Sequence, residues 1–330
     1  MTTTVVVTGA GAGIGRAAAL EFARRGCDVA LLSRDPDRLE QAAAELRRFG
    51  VRALPIPTDV ADAEAVDAAA VRVEAELGPI DVWVNVAMAT VFAPVHELTA
   101  DEVQRATAVT YLGQVHGILA ALRYMRPRGR GSIVSVGSAL AHRSVPLQAA
   151  YCGAKFATRG FIDALRSELI HDRLDIHLSE VDLPAVNTPQ FDWSRNKTGR
   201  RAQPVPPIYQ PEVPARAICF AAFHPRRQIW VGFSTVKAVL ANRIAPGLLD
   251  RYLAKAGYTG QLTDRPTTPD APDNLFAPVA GPYAAHGRFD GEARAASGIV
   301  LTSRHGTAAR VLAVAGLVAL AWRAARRLGV

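Results

Sequence analysis

Tyr151 and Lys155 sit in the stretch Tyr-Cys-Gly-Ala-Lys, and an i, i+4 spacing puts both side chains on one face of a helix. A phenol with its ordinary pKa of about 10 is a poor acid/base at neutral pH, and a neighbouring cation favours the phenolate and makes it a usable proton donor or acceptor. The lysine stands out against its background. Of 38 basic residues only four are lysines (Lys155, Lys197, Lys237, Lys255). A compact ammonium at 155 therefore fits a charge that stands beside a phenol and hydrogen-bonds a hydroxyl. Ser138 ends an apolar run upstream of this pair. Its hydroxyl is suited to hold a carbonyl oxygen and share the charge that develops there.

A second group lies near the N-terminus. Thr8-Gly9-Ala10-Gly11-Ala12-Gly13-Ile14-Gly15 follows a β-branched run and opens a helical pattern. Glycines there let the backbone turn tightly and approach a pyrophosphate, and the helix start offers unpaired N–H donors with a partial positive charge. The end of the second strand reads Leu32-Ser33-Arg34-Asp35. An acid at Ser33 would serve the 2′-hydroxyl of NAD; Ser33 followed by Arg34 suits the 2′-phosphate of NADP instead.

The elements that must position these groups alternate. Strands are expected at 4–8, 29–32, 52–56 and 80–84, with helices at 16–25, 36–49 and 62–77 between and after them. A long helix capped by Thr99 ends at Pro127, a buried strand covers 132–136, a second long helix 148–171, and a further strand 174–181. Residues 183–214 hold seven prolines and read as an irregular loop at the carboxyl end of a strand, where ligands bind. Within it Phe191, Trp193, Pro206, Ile208 and Tyr209 read as an apolar lid. A helix at 212–223, a strand at 229–231 and a mostly helical stretch 235–256 follow. Continuous apolar strands alternating with amphipathic helices give the α/β class, a Rossmann-type doubly wound parallel sheet with helices on both faces. The expected division is a Rossmann catalytic domain at 1–258, a Pro-rich extension at 259–306, ordered if it drapes on the body, and a short apolar, basic helix at 307–330.

Thr8-Gly9 with Gly13 and Gly15, Asp59-Val60, Asn85 with Ala87, Ser138, and Tyr151 with Lys155 together resemble the classical short-chain dehydrogenase/reductase (SDR) family, from Thr4 to the helix after Ser234. The resemblance implies that Tyr151 is the acid/base, that Lys155 lowers its pKa and binds the nicotinamide ribose, and that Ser138 orients the carbonyl. It implies an adenine contact from Asp59, a carboxamide contact from Thr188, and a homo-oligomer. The expected cofactor set is Gly9, Gly11, Gly13, Ile14, Gly15, Ser33, Arg34, Asp59, Val60, Asn85, Ala87, Tyr151, Lys155 and Thr188. Three places depart from the family pattern. Met88 replaces the last Gly of Asn-Asn-Ala-Gly, Thr110 replaces the helix Asn and leaves a shorter candidate relay, and Leu183 to Thr188 is one residue short before Thr188. The expected activity is hydride transfer between NADP(H) and an apolar carbonyl/alcohol pair. The alternative is a cofactor-binding scaffold with little turnover, favoured by Met88 and Thr110. An epimerase or dehydratase on the same fold is disfavoured by the glycine spacing.

Composition narrows the classes further. At 330 residues, 49% hydrophobic and 21% charged, the chain is neither disordered nor polytopic. Three scattered cysteines make neither a disulfide framework nor a zinc site, and a cytoplasmic location is the expectation. The net charge of +8 is not a nucleic-acid footprint, because six arginines and no acid fall within 293–330. In that tail, residues 311–322 form an uncharged run flanked by Arg310 and by Arg323, Arg326 and Arg327. It is expected to lie as a shallow helix on a membrane surface, the alternative being an Ala-rich helix docked on the catalytic body or on a second subunit. No signal peptide is expected at the start of the chain.

Overall fold

The computed structural model describes residues 2–268 and 271–297. Strand β1 (Thr4–Thr8) is Thr-Val-Val-Val-Thr and is buried at every position. Successive side chains of a strand point to opposite faces, so Val5 and Val7 enter one apolar cluster while Val6 enters another. A strand apolar on both faces needs helices on both. They come as α1 (Gly13–Ala23), β2 (Asp28–Ser33), α2 (Pro36–Arg47), β3 (Ala53–Pro57), α3 (Ala63–Glu76), β4 (Ile80–Asn85) and a short β5 (Val91–Phe92). Next are α4 (Ala100–Thr107), α5 (Gly113–Arg128), β6 (Arg130–Ser138), α6 (Ala149–His171), β7 (Asp175–Leu183), a one-turn α7 (Gln190–Trp193), β8 (Arg195–Asn196) and β9 (Arg200–Ala202). The described order ends with α8 (Glu212–Phe223), β10 (Gln228–Trp230), α9 (Phe233–Ile244), α10 (Pro246–Thr259) and β11 (Leu262–Pro266).

Local chemistry sets the boundaries. Asp35 and Asp62 cap α2 and α3 by accepting the Arg38 and Ala65 N–H groups, and Thr99 with Glu102 forms a capping box on α4. Gly129, at φ 69°, closes α5 in the left-handed conformation that glycine adopts freely.

The central sheet is seven-stranded and parallel in the order β3-β2-β1-β4-β6-β7-β10. β1 lies between β2 and β4, so the chain winds outward in one direction and then the other, leaving a crevice at the carboxyl ends of these strands.

Three elements differ from expectation. The single helix over 99–127 is split by a π-helical turn, Ala108–Leu112, centred on Thr110. The loop after β7 is not structureless: β8 pairs with β5, and β9 pairs with β11. The helix over 235–256 breaks at Ala245, because Pro246 brings no N–H to continue the ladder and opens α10 instead.

Residues 271–297 drape over the carboxyl edge of the sheet. Leu275 is 0% exposed and joins the core cluster on the α3, α5 and α6 face, and Arg294 exchanges backbone hydrogen bonds with Ile208 and Gln210. Among the described residues no helix is long and apolar enough to cross a membrane, and the run 311–322 lies outside them. Because Leu275 pins the extension, Leu275→Ala should lower unfolding stability by about 2–5 kcal/mol in urea melts. A loss below about 0.5 kcal/mol would show that the extension is not anchored there.

Candidate active site

The glycine turn makes a cradle that side chains would fill. A Cβ on Gly15 would stand 2.2 Å from the Gly9 carbonyl oxygen, and one on Gly9 would stand 3.0 Å from Ala87 Cα. The Thr8 hydroxyl, accepting from the Val86 and Ala87 N–H groups, ties β1 to the end of β4. Ala12, at the cap position before α1, offers no side-chain cap. The Gly13 N–H donates to the Ala284 carbonyl (3.0 Å). The N–H groups of Ile14 and Gly15 belong to the first turn, for which a helix has no acceptor of its own. These features suit a pyrophosphate.

The cleft above this turn encloses about 950 Å³, open solvent included. It brings together Gly9, Gly11, Gly13, Ile14, Gly15, Ser33, Arg34, Asp59, Val60, Ala87 and Thr188, with Met88 and Val109 also in its lining. The half-buried Arg34 guanidinium donates to the carbonyls of Asn274 (2.5 Å) and Leu275 (3.4 Å). Burial, and then Arg105, pull its pKa down. Asp59 is held by Arg105 (2.5 Å) and by the Ala61 N–H. Asn85 does not line the cleft: it is 0% exposed, and its Oδ1 accepts from Trp83 Nε1 (3.0 Å) against Gly117 of α5.

Ser138, Tyr151 and Lys155 meet where β6 ends and α6 begins. Ser138 Oγ accepts from the Leu140 N–H (3.1 Å), which leaves its own proton to donate. Lys155 is 2% exposed; its Nζ donates to the Val136 carbonyl (2.6 Å) and stands 5.6 Å from the centroid of the Tyr151 ring. Burial pulls the lysine pKa down to about 8, against the charges of Asp182 and Glu180. Burial also pushes the Tyr151 phenol well above its ordinary value, partly offset by a hydrogen bond with Ser138 and reinforced by Cys152 and Asp182. The shift runs opposite to the lowering that a neighbouring cation gives; the Lys155 ammonium donates to the Val136 carbonyl.

The short chain dehydrogenase family profile matches residues 3–198. The chain belongs to the short-chain dehydrogenase family. Its relatives include an uncharacterized oxidoreductase of Bacillus subtilis, YxnA, 30% identical over 325 residues, covering 98% of this chain and 90% of that one. Estradiol 17-beta-dehydrogenase 11 of Mus musculus is 30% identical over 250 residues, 76% of this chain and 80% of that one. Among solved structures, an alcohol dehydrogenase from the archaeon Thermococcus sibiricus, complexed with 5-hydroxy-NADP, matches with a TM-score of 0.62 at 27% identity. That match covers 70% of this chain and 96% of the archaeal one.

Several groups of this short-chain dehydrogenase's cleft carry no mark in the sequence. Arg38 lies one helical turn beyond Arg34, binds Asp35 and the Val279 carbonyl (2.8 Å), and stands over Trp193 at 5.0 Å. Asn274 and Pro278 roof the cleft from the extension, which carries no motif. Of the expected lid, Trp193 lines this cleft, whereas Ile208 and Tyr209 are buried against the body.

Thr110 has a defined task. Its hydroxyl donates to the Ala89 carbonyl and accepts from the Ala89 N–H, both at 2.9 Å, and so pins the loop that carries Met88. Thr110→Val would leave both Ala89 groups buried and unpaired, at a cost of ~1–3 kcal/mol, whereas Thr110→Ser should stay near wild type. Equal chemical-denaturation midpoints for the Val and Ser variants would contradict this role.

Proposed function

We propose that the protein is an NADP(H)-dependent oxidoreductase acting on an apolar carbonyl/alcohol pair. The observation that carries this reading is that Ser138, Tyr151 and Lys155 stand at the same sheet edge as the glycine-cradled cleft. Preference for NADP over NAD is supported by Arg34, whose hydrogen bonds go to two neutral carbonyls, leaving its charge for an anion. Ser33 beside it brings no carboxylate to a ribose hydroxyl. The archaeal alcohol dehydrogenase, whose complex is with 5-hydroxy-NADP, points the same way. An apolar substrate is supported by Met88, Val109 and Trp193 in the cleft lining.

A bound nicotinamide supplies or accepts the hydride. In the reducing direction Tyr151, held as a neutral phenol, protonates the carbonyl oxygen. Ser138 donates to the same oxygen and shares its developing charge. Lys155 keeps a positive charge beneath the tyrosine ring, and the Thr110 hydroxyl proton, engaged by the Ala89 carbonyl, is taken from the relay. A cofactor-binding scaffold is the second reading, favoured by that engagement and by Met88. The exposed apolar residues Leu112, Leu119, Phe156 and Ile170 on the α5 and α6 side support a homo-oligomer. The arginine-flanked run 311–322 supports contact with a membrane surface from a cytoplasmic location.

With ketones and aldehydes of increasing apolar size, Tyr151→Phe should lower kcat by ~10²–10⁴-fold while NADPH affinity stays close to wild type. NADPH binding with no turnover of any carbonyl by the wild-type protein would favour the scaffold. Arg34→Asp should reverse the preference between NADPH and NADH, since it repels the 2′-phosphate and offers the 2′-hydroxyl a partner. Unchanged relative KM values in that variant would refute the assignment of NADP.

A further inference from the structure

Helix α6 presents a second basic side chain one turn beyond Lys155. Arg159 Nη1 lies 2.8 Å from His142 Nδ1, and His142 Nε2 lies 2.8 Å from Asp182 Oδ2. A guanidinium can only donate, so Nδ1 carries the lone pair and the ring proton sits on Nε2, donated to Asp182. The chain of hydrogen bonds has one direction and ends on a carboxylate. Both inner members are buried, His142 at 3% and Asp182 at 0% side-chain exposure. Asp182 Oδ2 also accepts from Gln228 Nε2 (2.8 Å), which reaches Glu180 as well (3.0 Å). Asp182 Oδ1 is buried with no hydrogen-bond partner. It lies against Gly137, where a Cβ would stand 2.1 Å from it.

Gly137 pairs with Asp182 across the β6–β7 ladder and immediately precedes Ser138. His142 follows the short turn Ala139–Ala141 that Ser138 opens. The carboxylate and the imidazole therefore grip the two ends of the segment that presents the Ser138 hydroxyl.

We propose that Arg159, His142 and Asp182 form a buried positioning chain that holds the Ser138 turn and sets a fixed negative charge facing Tyr151 and Lys155. It rests on the reading of Ser138, Tyr151 and Lys155 as the reacting group, and deepens it. The groups facing Asp182 are Tyr151 and Lys155 from α6, His142 from the turn, Glu180 on its own strand, and Gln228 from β10, while Arg159 reaches it only through His142. Asp163 and Arg166 of α6 act on Glu180 from further along. Burial, then Asp182, push the Glu180 carboxyl up to about 8. Asp182 takes two N–H donors on one oxygen, from His142 and Gln228. Its negative charge favours ammonium at Lys155 and disfavours phenolate at Tyr151.

The four-lysine composition makes this measurable without a substrate. In full-length protein labelled with ¹³C-lysine, the Lys155 Cε resonance is assigned by its absence from Lys155→Arg. It should titrate near pH 8 in wild type and roughly one unit lower in Asp182→Asn, with the other three lysines unmoved. An unchanged Lys155 midpoint in folded Asp182→Asn would overturn the proposal. Should that variant not fold, ¹⁵N-histidine spectra of wild type decide. A neutral His142 protonated at Nε2 is expected, and an Nδ1–H tautomer or an imidazolium at neutral pH would overturn the chain. Neither arm needs turnover. Full activity in Tyr151→Phe would remove the catalytic reading and leave the chain standing, and an unmoved Lys155 beside an inactive Tyr151→Phe would do the reverse.

Discussion

A lysine ammonium kept almost entirely from water has to be satisfied by the protein, and the arrangement around Lys155 follows from that requirement. Burying a charge without partners costs several kcal/mol, so the surrounding strands must offer acceptors. The Val136 carbonyl takes the Lys155 proton at 2.6 Å and also accepts from Gln114 of α5. One residue on, the peptide has no side chain at Gly137, which admits the Asp182 carboxylate from β7. The next residue is Ser138. Three consecutive positions of β6 thus meet the lysine, its compensating charge and the hydroxyl of the site, and the β6–β7 register keeps them aligned.

The cofactor cleft is governed by another constraint, the satisfaction of cations by neutral groups. In chain order the extension offers carbonyls of Asn274 and Leu275 to Arg34, of Val279 to Arg38, of Tyr283 to Arg16 and of Ala284 to the Gly13 N–H. Further on, Gly287 packs on the Thr188 backbone, where a Cβ would stand 2.5 Å from the carbonyl oxygen. Carbonyls orient guanidinium groups without neutralising them. Arg38 and Arg16 are paired with Asp35 and Glu45 as well, so the extension roofs the cleft while leaving the charge of Arg34 in it. The alignment with YxnA covers 98% of the chain and so includes this extension, which lies beyond the family profile ending at 198.

Which features were legible follows from their range along the chain. The glycine turn, the cap at Thr99 and the doubly buried strands are local patterns, and the sheet follows from their alternation. The Tyr151–Lys155 pair is local too, at one turn of helix. The π-turn at Thr110 was not legible, because it accompanies a hydroxyl bonded to Ala89, across the fold rather than along the helix. Asn85 carried the family pattern, but its orientation depends on Trp83 and Gly117. His142 and Asp182 are 40 positions apart, and nothing in either neighbourhood marks the pairing. The one available clue was Arg159, four residues after Lys155 and so on the same helical face.

Burial acts in the same sense on both members of the Tyr151–Lys155 pair, because it opposes charge on either. By itself it would favour a neutral phenol beside a neutral amine. The pair then has a proton to give but no positive charge beneath the ring. A phenolate beside an ammonium would reduce the net charge, yet it would place negative charge facing Asp182. With that carboxylate fixed by His142 and Gln228, the arrangement of least electrostatic cost is a neutral Tyr151 with a protonated Lys155, since only this one matches the buried negative charge with one buried positive charge. That is the form able to hand a proton to a carbonyl oxygen while a cation remains behind the donor. The Asp182 carboxylate of β7, in this proposal, selects the protonation state in which the site can act as an acid.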